Sequence, residues 1–502
     1  MKRSARFLPT STPLVLLASC SAVGPDYERP GIEMPASFGH PAFQAPVTQE
    51  FDPWWETFQD SVLTGLIEDA VRRNQDVRVA VAAVREVRAA RRVAGSRWMP
   101  SIDAGGRYRR QRASENGAVD LGTLSDAGLA DIETDSYSTG LEASWEIDVF
   151  GSVRRDNEAA TARVEEVHER LADALIAVTA EVGLGYIDLR GSERELAVLR
   201  RNVEVQSETL TLIRNRFRTG IASEIDLERA RSQLARTSAQ EPLLQAAIDV
   251  ATYRLAVLTG RLPGELSDSL KGSAELVVRG DLVPVGLPSE LLLRRPDVRA
   301  AERGLHAATA EVGVATADLY PRFFLTGAGG FDSVSFGDHF ETQSGFFAIG
   351  PSIRWPVFRG GALRARVEAA EGRVDAQYAR YRQSILLAVE DVERSLVGYG
   401  QQELRRRELV ESRDAAVKAA SLVRRIYERG LVQFLEVLDA ERRALEVDLD
   451  LVRSEAEVTR QAIRLYRSLG GGWEHSIRTL QAEIAAEPRA MRADRGQPVG
   501  EP

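Results

Sequence analysis

Along residues 137–149 the chain alternates with period two. Tyr137, Thr139, Leu141, Ala143, Trp145, Ile147 and Val149 fall on one side; Ser138, Gly140, Glu142, Ser144, Glu146 and Asp148 fall on the other. That pattern predicts a strand with one apolar and aromatic face and one acidic face. Residues 101–109 behave likewise, with Ile102, Ala104 and Tyr108 opposing Asp103, Arg107 and Arg109. Later in the chain Phe323, Leu325 and Phe331 share a face, as do Phe347, Ile349, Ile353, Trp355 and Val357. The predicted strands are therefore about 101–113, 137–149, 322–332 and 345–357. Any one of them suits a half-buried sheet in a soluble domain equally well, and their number is what changes the picture. Four strands in two hairpins cannot close a barrel, and an open sheet edge is not viable in lipid. If this sheet crosses a membrane, several chains must close it, and three would supply twelve strands. No internal stretch approaches the roughly 18 apolar residues of a spanning helix.

A second pattern has the heptad period. Val374, Tyr378, Tyr381, Ile385, Ala388, Val392, Ser395 and Tyr399 step by fours and threes, and the pattern resumes at Leu409, Ala416, Ala420, Val423 and Tyr427. Leu189, Leu196, Leu199, Val203, Leu210, Ile213 and Phe217 keep the same beat earlier. Coiled-coil helices are predicted over about 152–218 and 361–429, the second extending roughly 100 Å. Arginine and glutamate fill the other faces, as a solvated surface would.

The two patterns recur in one order. Asp76-Val77-Arg78 is answered by Asp297-Val298-Arg299, and Trp98-Met99-Pro100 by Leu319-Tyr320-Pro321. Phe217-Arg218-Thr219-Gly220 is answered by Tyr427-Glu428-Arg429-Gly430, and Gly260 by Gly470. The chain therefore reads as a duplication. Each copy has an amphipathic helix (about 62–96 and 288–317), a proline stop at Pro100 or Pro321, two strands, a long helix, a turn at Gly220 or Gly430, and a returning helix.

The N-terminus adds an address. Lys2, Arg3 and Arg6 precede a short apolar run at Leu14–Leu17, as in a secretory signal. Leu17-Ala18-Ser19-Cys20 resembles the bacterial lipobox, in which the cysteine takes a diacylglycerol and, once cleaved, an N-acyl chain. Ser21 rather than aspartate follows, which by the same resemblance favours the outer membrane. Cys20 is the only cysteine among 502 residues, so an internal disulfide is excluded. The net charge of -9 argues against non-specific nucleic-acid binding. The five histidines (His40, His168, His306, His339, His475) lack metal-ligand spacing. Gly327-Ala328-Gly329-Gly330 is a poor phosphate loop, because strand-like aromatic sequence surrounds it. No catalytic triad or metal cluster is visible, and no enzyme activity or cofactor is expected beyond the acyl chains at Cys20.

Together these residues resemble the TolC-like outer-membrane factors, of the NodT/OprM lipoprotein type found with resistance–nodulation–division pumps. Cys20-Ser21-Ala22-Val23-Gly24-Pro25-Asp26-Tyr27, the two aromatic-x-x-Gly turns and Val437-Leu438-Asp439-Ala440-Glu441-Arg442 carry the resemblance, which covers about residues 20–473. It implies a fold of mixed α and transmembrane β: a homotrimer with four strands per protomer in a 12-stranded outer-membrane barrel, continued by a helical periplasmic barrel. It also implies a passive export channel working with a periplasmic adaptor and an inner-membrane pump. The alternative is a lipid-anchored coiled-coil scaffold of the envelope, without conductance.

On this reading the chain comprises a signal peptide (1–19), an extended lipid-anchored segment (20–56), a first repeat (57–265, long helices about 152–260), an equatorial linker (266–287), a second repeat (288–473, long helices about 361–470) and an equatorial or mobile tail (474–502). The resemblance further implies that Tyr427 and Asp226 lie at the inter-coil contact of the periplasmic gate. Glu436 and Asp439 would form acidic rings in the lumen, favouring cations. The turns at Gly220 and Gly430 would receive the adaptor's hairpins. Some relatives carry arginine near Val432, and valine here would weaken that polar link.

Overall fold

The structure is a computed structural model, described here for residues 22–31, 53–114, 132–270 and 294–486. Cys20, the signal segment, the whole proline-containing 32–52 stretch and most of the linker lie outside those residues. The chain divides into two compact units. The first comprises Met1–Arg29, Glu86–Val164 and Arg303–Tyr378; the second comprises Pro30–Arg85, Glu165–Glu302 and Ala379–Pro502.

The first unit holds all four strands: β1(Ser101–Arg112), β2(Glu133–Ile147), β3(Arg322–Ser333) and β4(Gly345–Arg354). They form one antiparallel sheet in the order β1-β2-β3-β4. β2 begins four residues before the predicted start and ends at Ile147, with Val149 beyond it. β4 stops at Arg354 rather than 357, because Pro356 has no N–H to continue the ladder. The glycine run predicted to be strand sequence lies inside β3. A Cβ on Gly140 would stand 2.8 Å from the Gly329 carbonyl, so glycine permits the close approach of β2 and β3.

The helices are α1(Ser61–Arg73), α2(Gln75–Ser96), α3(Ser152–Arg218), α4(Glu224–Ser238), α5(Glu241–Leu258), α6(Pro296–Ala317), α7(Ala362–Glu428), α8(Phe434–Ser468) and α9(Trp473–Ala486). Two predicted continuous helices are broken. The 62–96 helix divides at Asn74, whose side chain accepts from the Asp76 and Val77 amides (2.9 and 3.3 Å) and donates to the Leu258 carbonyl. A buried asparagine so used caps a new helix rather than continuing the old one. The first returning helix divides before Glu241, with Pro242 in the first turn of α5, where its missing N–H costs nothing. Its counterpart α8 has no proline and runs unbroken.

In the second unit the core gathers around Trp54 and Trp55, with Ile67, Leu175, Leu255 and Ile463 packed into the same cluster. Trp54 stacks on Tyr466 at 5.9 Å. Gly183 on α3 lets Trp54 approach, since a Cβ there would stand 2.7 Å from the indole. Asp60 caps α1 through the Val62 and Leu63 amides and also accepts from the Tyr186 hydroxyl at 2.6 Å. Burial, assisted by that bond, pushes the Tyr186 phenol up to about 12. Within the segment read as a tail, residues 473–486 form α9, and its Ile477 and Leu480 enter this core; residues 487–502 lie outside the described residues. The apolar residues of this short helix are what hold it there.

Candidate functional site

The register of the sheet sorts its residues into two faces. Ile102 lies opposite Ala143, Ala104 opposite Leu141 and Tyr108 opposite Tyr137. Trp145 lies opposite Leu325 and Ile147 opposite Phe323. Gly327 lies opposite Ile349 and Gly329 opposite Phe347. The apolar sets of all four strands therefore coincide on one face, and that face is open: Ile349 is 75% exposed and Phe347 86%. At about 3.4 Å per residue and a tilt of about 40°, Tyr137 to Ile147 spans about 26 Å, against about 25 Å for the apolar band of an outer-membrane barrel. The other face carries Asp103 opposite Glu142, then Ala328, Thr326 and Ser352. Most side chains there are small or charged, as a water-filled lumen requires, with Phe324 and Phe346 as the apolar exceptions.

The foot of the sheet repeats one device. Trp145 donates from its indole nitrogen to the Trp98 carbonyl at 3.0 Å, and Trp355 to the Leu319 carbonyl at 3.1 Å. Both indoles lie on the apolar face and remain partly exposed. A tryptophan with its N–H satisfied and its ring outward suits a membrane interface. Behind them, Arg97 bridges Glu146 and Asp156 (3.2 and 2.9 Å).

The N-terminal segment docks at this same foot. The Val23 amide donates to the Phe150 carbonyl at 3.0 Å. Arg155, almost fully buried, donates to the Val23 and Gly24 carbonyls and to Asp26 at 2.6 Å. Tyr27 stacks on His306 at 4.3 Å, and His306 meets Glu158, which also accepts from Arg155. Gly24 lies directly against Gly313, where neither could carry a side chain without displacement.

The turns at the far ends of the long helices share one backbone solution. Gly220 has φ +75° and Gly430 φ +76°. The Ile221 amide returns to the Arg216 carbonyl, and the Leu431 amide to the Ile426 carbonyl. Both are left-handed glycine stops closed by a six-to-one hydrogen bond. The side chains differ. Asp226 forms a capping box with Ser223, accepting from its hydroxyl at 2.7 Å, whereas Gln433 at the equivalent place makes no side-chain cap. Asp226 is thus engaged within its own helix, and the structure does not bring it to Tyr427. Tyr427 is buried in a cluster with Ile213, Ala230, Phe434 and Val437, against which Val432 packs. Its partner is Arg216, which lies over the ring at 4.6 Å and donates to the Tyr427 and Glu428 carbonyls (3.1 and 2.7 Å). Arg216 escapes sequence reasoning because its repeat counterpart is Ile426; only its position in the last turn, where cations favour helix ends, hinted at it.

Glu436 is exposed in the first turn of α8. Asp439 is half-buried and bridges Arg442 and Arg443, each at 2.9 Å. Nearby, Glu441 accepts from the Thr209 hydroxyl at 3.1 Å, and burial pushes its carboxyl above the usual range. No group of three or more metal-ligating side chains is found among the described residues. Nor is any helix among them long and apolar enough to cross a membrane.

The sequence profile of the family described as Outer membrane efflux protein matches residues 66–261 and 287–471. The solvent efflux pump outer membrane protein SrpC of Pseudomonas putida is 30% identical over 473 residues, covering 92% of this chain and 97% of that protein. Nodulation protein T of Rhizobium leguminosarum bv. trifolii is 29% identical, covering 93% and 98%. Among solved structures, the outer-membrane channel OprN superposes with a TM-score of 0.83 at 34% identity, covering 90% of this chain and 99% of that one. The open state of the Neisseria gonorrhoeae MtrE outer membrane channel gives 0.78 at 27%, covering 90% and 99%.

Proposed function

The chain belongs to the outer membrane efflux protein family, and from that premise we propose that three copies close into one passive export channel. That it is an outer-membrane efflux component follows from the family and from its channel-forming neighbours. Like them it is a conduit rather than an enzyme. The trimer, the twelve-stranded barrel and the internal duplication belong to this proposal. The observation that carries it is the sheet: one uninterrupted apolar face of membrane height, a polar face behind it, and β1 and β4 left as edges in a single chain. A lipid-facing sheet with open edges is unstable, and further copies of the same sheet remove the edges. A coiled-coil scaffold has no need of such a face.

The helical unit would line the periplasmic conduit and meet a periplasmic adaptor at the turns of Gly220 and Gly430, with an inner-membrane pump of the resistance–nodulation–division type behind it. Glu436 and Asp439, once per chain, would give two acidic rings at the entrance. The Tyr427–Arg216 contact would hold the last turn of α7 closed at the inter-coil contact where the resemblance places Tyr427 and Asp226. No cofactor is needed beyond acyl chains on Cys20. The docked segment supports that anchor: Cys20 is two residues from Ala22, a reach of about 7 Å, and Ala22 lies on Gly151, beside the foot of the apolar face.

The test is conductance of the purified protein in planar bilayers. Stepwise, cation-selective openings are expected, with selectivity falling in Asp439→Lys while the unfolding midpoint shifts little, since each exposed i,i+3 or i,i+4 pair is worth only about 0.3–0.5 kcal/mol. An inert bilayer would remove the channel reading; unchanged selectivity would remove Asp439 from the lumen.

A further inference from the structure

The connection between β3 and β4, residues 334–344, does not project away from the sheet. It folds back onto one of its faces. His339 is buried, and its Nε2 meets the Thr139 hydroxyl at 2.8 Å. Phe336 packs edge-on to Tyr137 at 5.5 Å, and Phe340 to Phe331 at 5.7 Å. His339 also stands against Phe340 at 4.7 Å. Tyr137, Thr139 and Phe331 belong to the apolar face, together with Leu141 and Trp145. The polar face at the same height carries Ser138 opposite Asp332, and none of the contacts just named goes there.

The loop is held in this position by its own bonds. The Ser344 hydroxyl donates to the Asp338 carbonyl, the Glu341 amide to the same carbonyl, and the Ser333 hydroxyl to the Ser335 carbonyl. Beyond the latch it presents Val334, Phe336 and Phe340 outward, each roughly 70% exposed. A bulky apolar trio turned outward from an already apolar face is continuous with that face.

We propose that residues 334–344 form a lipid-facing flap, latched by His339 on Thr139, whose Phe336 and Phe340 enter the interfacial zone of the outer leaflet. The flap would therefore not act as a plug over the lumen. The inference rests on the barrel reading. It commits to lipid as the occupant because the loop continues the apolar band at its rim, level with Tyr137. Irregular backbone is excluded from the hydrocarbon centre, but the interface accepts it, and aromatic rings concentrate there. The hairpin ends lie opposite the ends of β1 and β2 where α2 and α3 attach. If the helices are periplasmic, the flap belongs to the outer leaflet.

The experiment places single cysteines at Phe336, Asp338 and Phe340 in the full-length protein, attaches a nitroxide to each and reconstitutes it in lipid vesicles. At 336 and 340 the nitroxide should collide preferentially with oxygen, and at 338 with a water-soluble nickel chelate. Preference for the nickel chelate at all three positions places the loop in water and overturns the flap. Shielding of 336 and 340 from both reagents means a protein neighbour covers them, and overturns it equally. In parallel, replacing residues 335–342 by a short turn should leave single-channel conductance unchanged; a clear rise would mean the loop obstructs the lumen. Heat-modifiable migration confirms that each variant has assembled. Cys20 is the only native cysteine, so a wild-type protein that itself takes label contradicts the lipid anchor without bearing on the flap. A wild type that never conducts contradicts the channel reading instead.

Discussion

Ile349 on β4 is 75% exposed, whereas Ile463 on α8 is completely buried. The same residue meets opposite conditions in the two units. Around Trp54 the helical unit encloses its own apolar side chains and satisfies its own caps, through Asp60, Asn74 and Tyr186. The sheet differs: although Asp148 caps the helix that follows it, its apolar side chains stay exposed. Apart from the 334–344 loop at its rim, its apolar face is uncovered, and among the described residues its outer strands have no second neighbour. The Trp54 core is closed within the chain; the apolar face of the sheet is not, and on the proposed channel reading lipid and further copies complete it. The difference separates what stability measurements on one chain can report from what they cannot.

The largest effect should come from charging the unfinished face. Ile349→Lys places a cation at the middle of the apolar band, costing about 2–4 kcal/mol at a bilayer midplane. Loss of heat-modifiable trimers is expected, while Ser352→Lys on the polar face of the same strand should leave assembly intact. Equal damage from both would mean that the faces are not distinguished by lipid. Inside the finished core, Trp54→Ala should remove about 3–5 kcal/mol, read as a lower urea midpoint in detergent, without any dependence on bilayer lipid.

Titration sharpens the contrast within the helical unit. Glu403 is buried and held by Arg406 through two 2.8 Å bonds, and that pairing keeps its carboxyl below the usual range. Its contribution is present above the normal carboxylate pKa and is lost as pH falls through the lowered value. Glu441 is raised by burial, so its sign is opposite: the fold tolerates it best when protonated, and a penalty grows as pH rises above the ordinary range. Glu403→Gln should therefore lower the unfolding midpoint at neutral pH and matter less in acid. Glu441→Gln should be neutral or stabilising at neutral pH, with its advantage disappearing in acid. Matching pH profiles for the two variants would contradict these assignments. The smallest effect is expected from Ser223→Ala, which removes the N-cap of α4, worth about 1 kcal/mol; it should loosen the first turn in hydrogen exchange without altering the Tyr427 cluster.

Local features were legible in the sequence. Alternation along residues 137–149 is a property of neighbouring residues, and so is the glycine that must adopt φ near +75° at 220 and 430. Features made by distant partners were not. Arg216 reaches the end of α7 across 211 positions, and His339 meets Thr139 across 200. Neither has a counterpart in the other half of the chain to mark it. The break at Asn74 carried a signal, an asparagine before Gln-Asp-Val, but an amphipathic pattern running through it hid the cap. α9 went unread because its fourteen residues are too few for a period to stand out, and the surrounding core holds it.

The central claim is that β1 of one chain meets β4 of the next and that the ring closes at three. It is tested most directly by single cysteines scanned along β1 against single cysteines along β4, oxidised in the membrane. A disulfide needs Cα atoms about 4.4–6.8 Å apart, so only neighbouring edges can join. The account predicts, for pairs in register, a covalent species that stops at three chains on a denaturing gel. A ladder running past three chains, or crosslinks formed only within one chain, would contradict it.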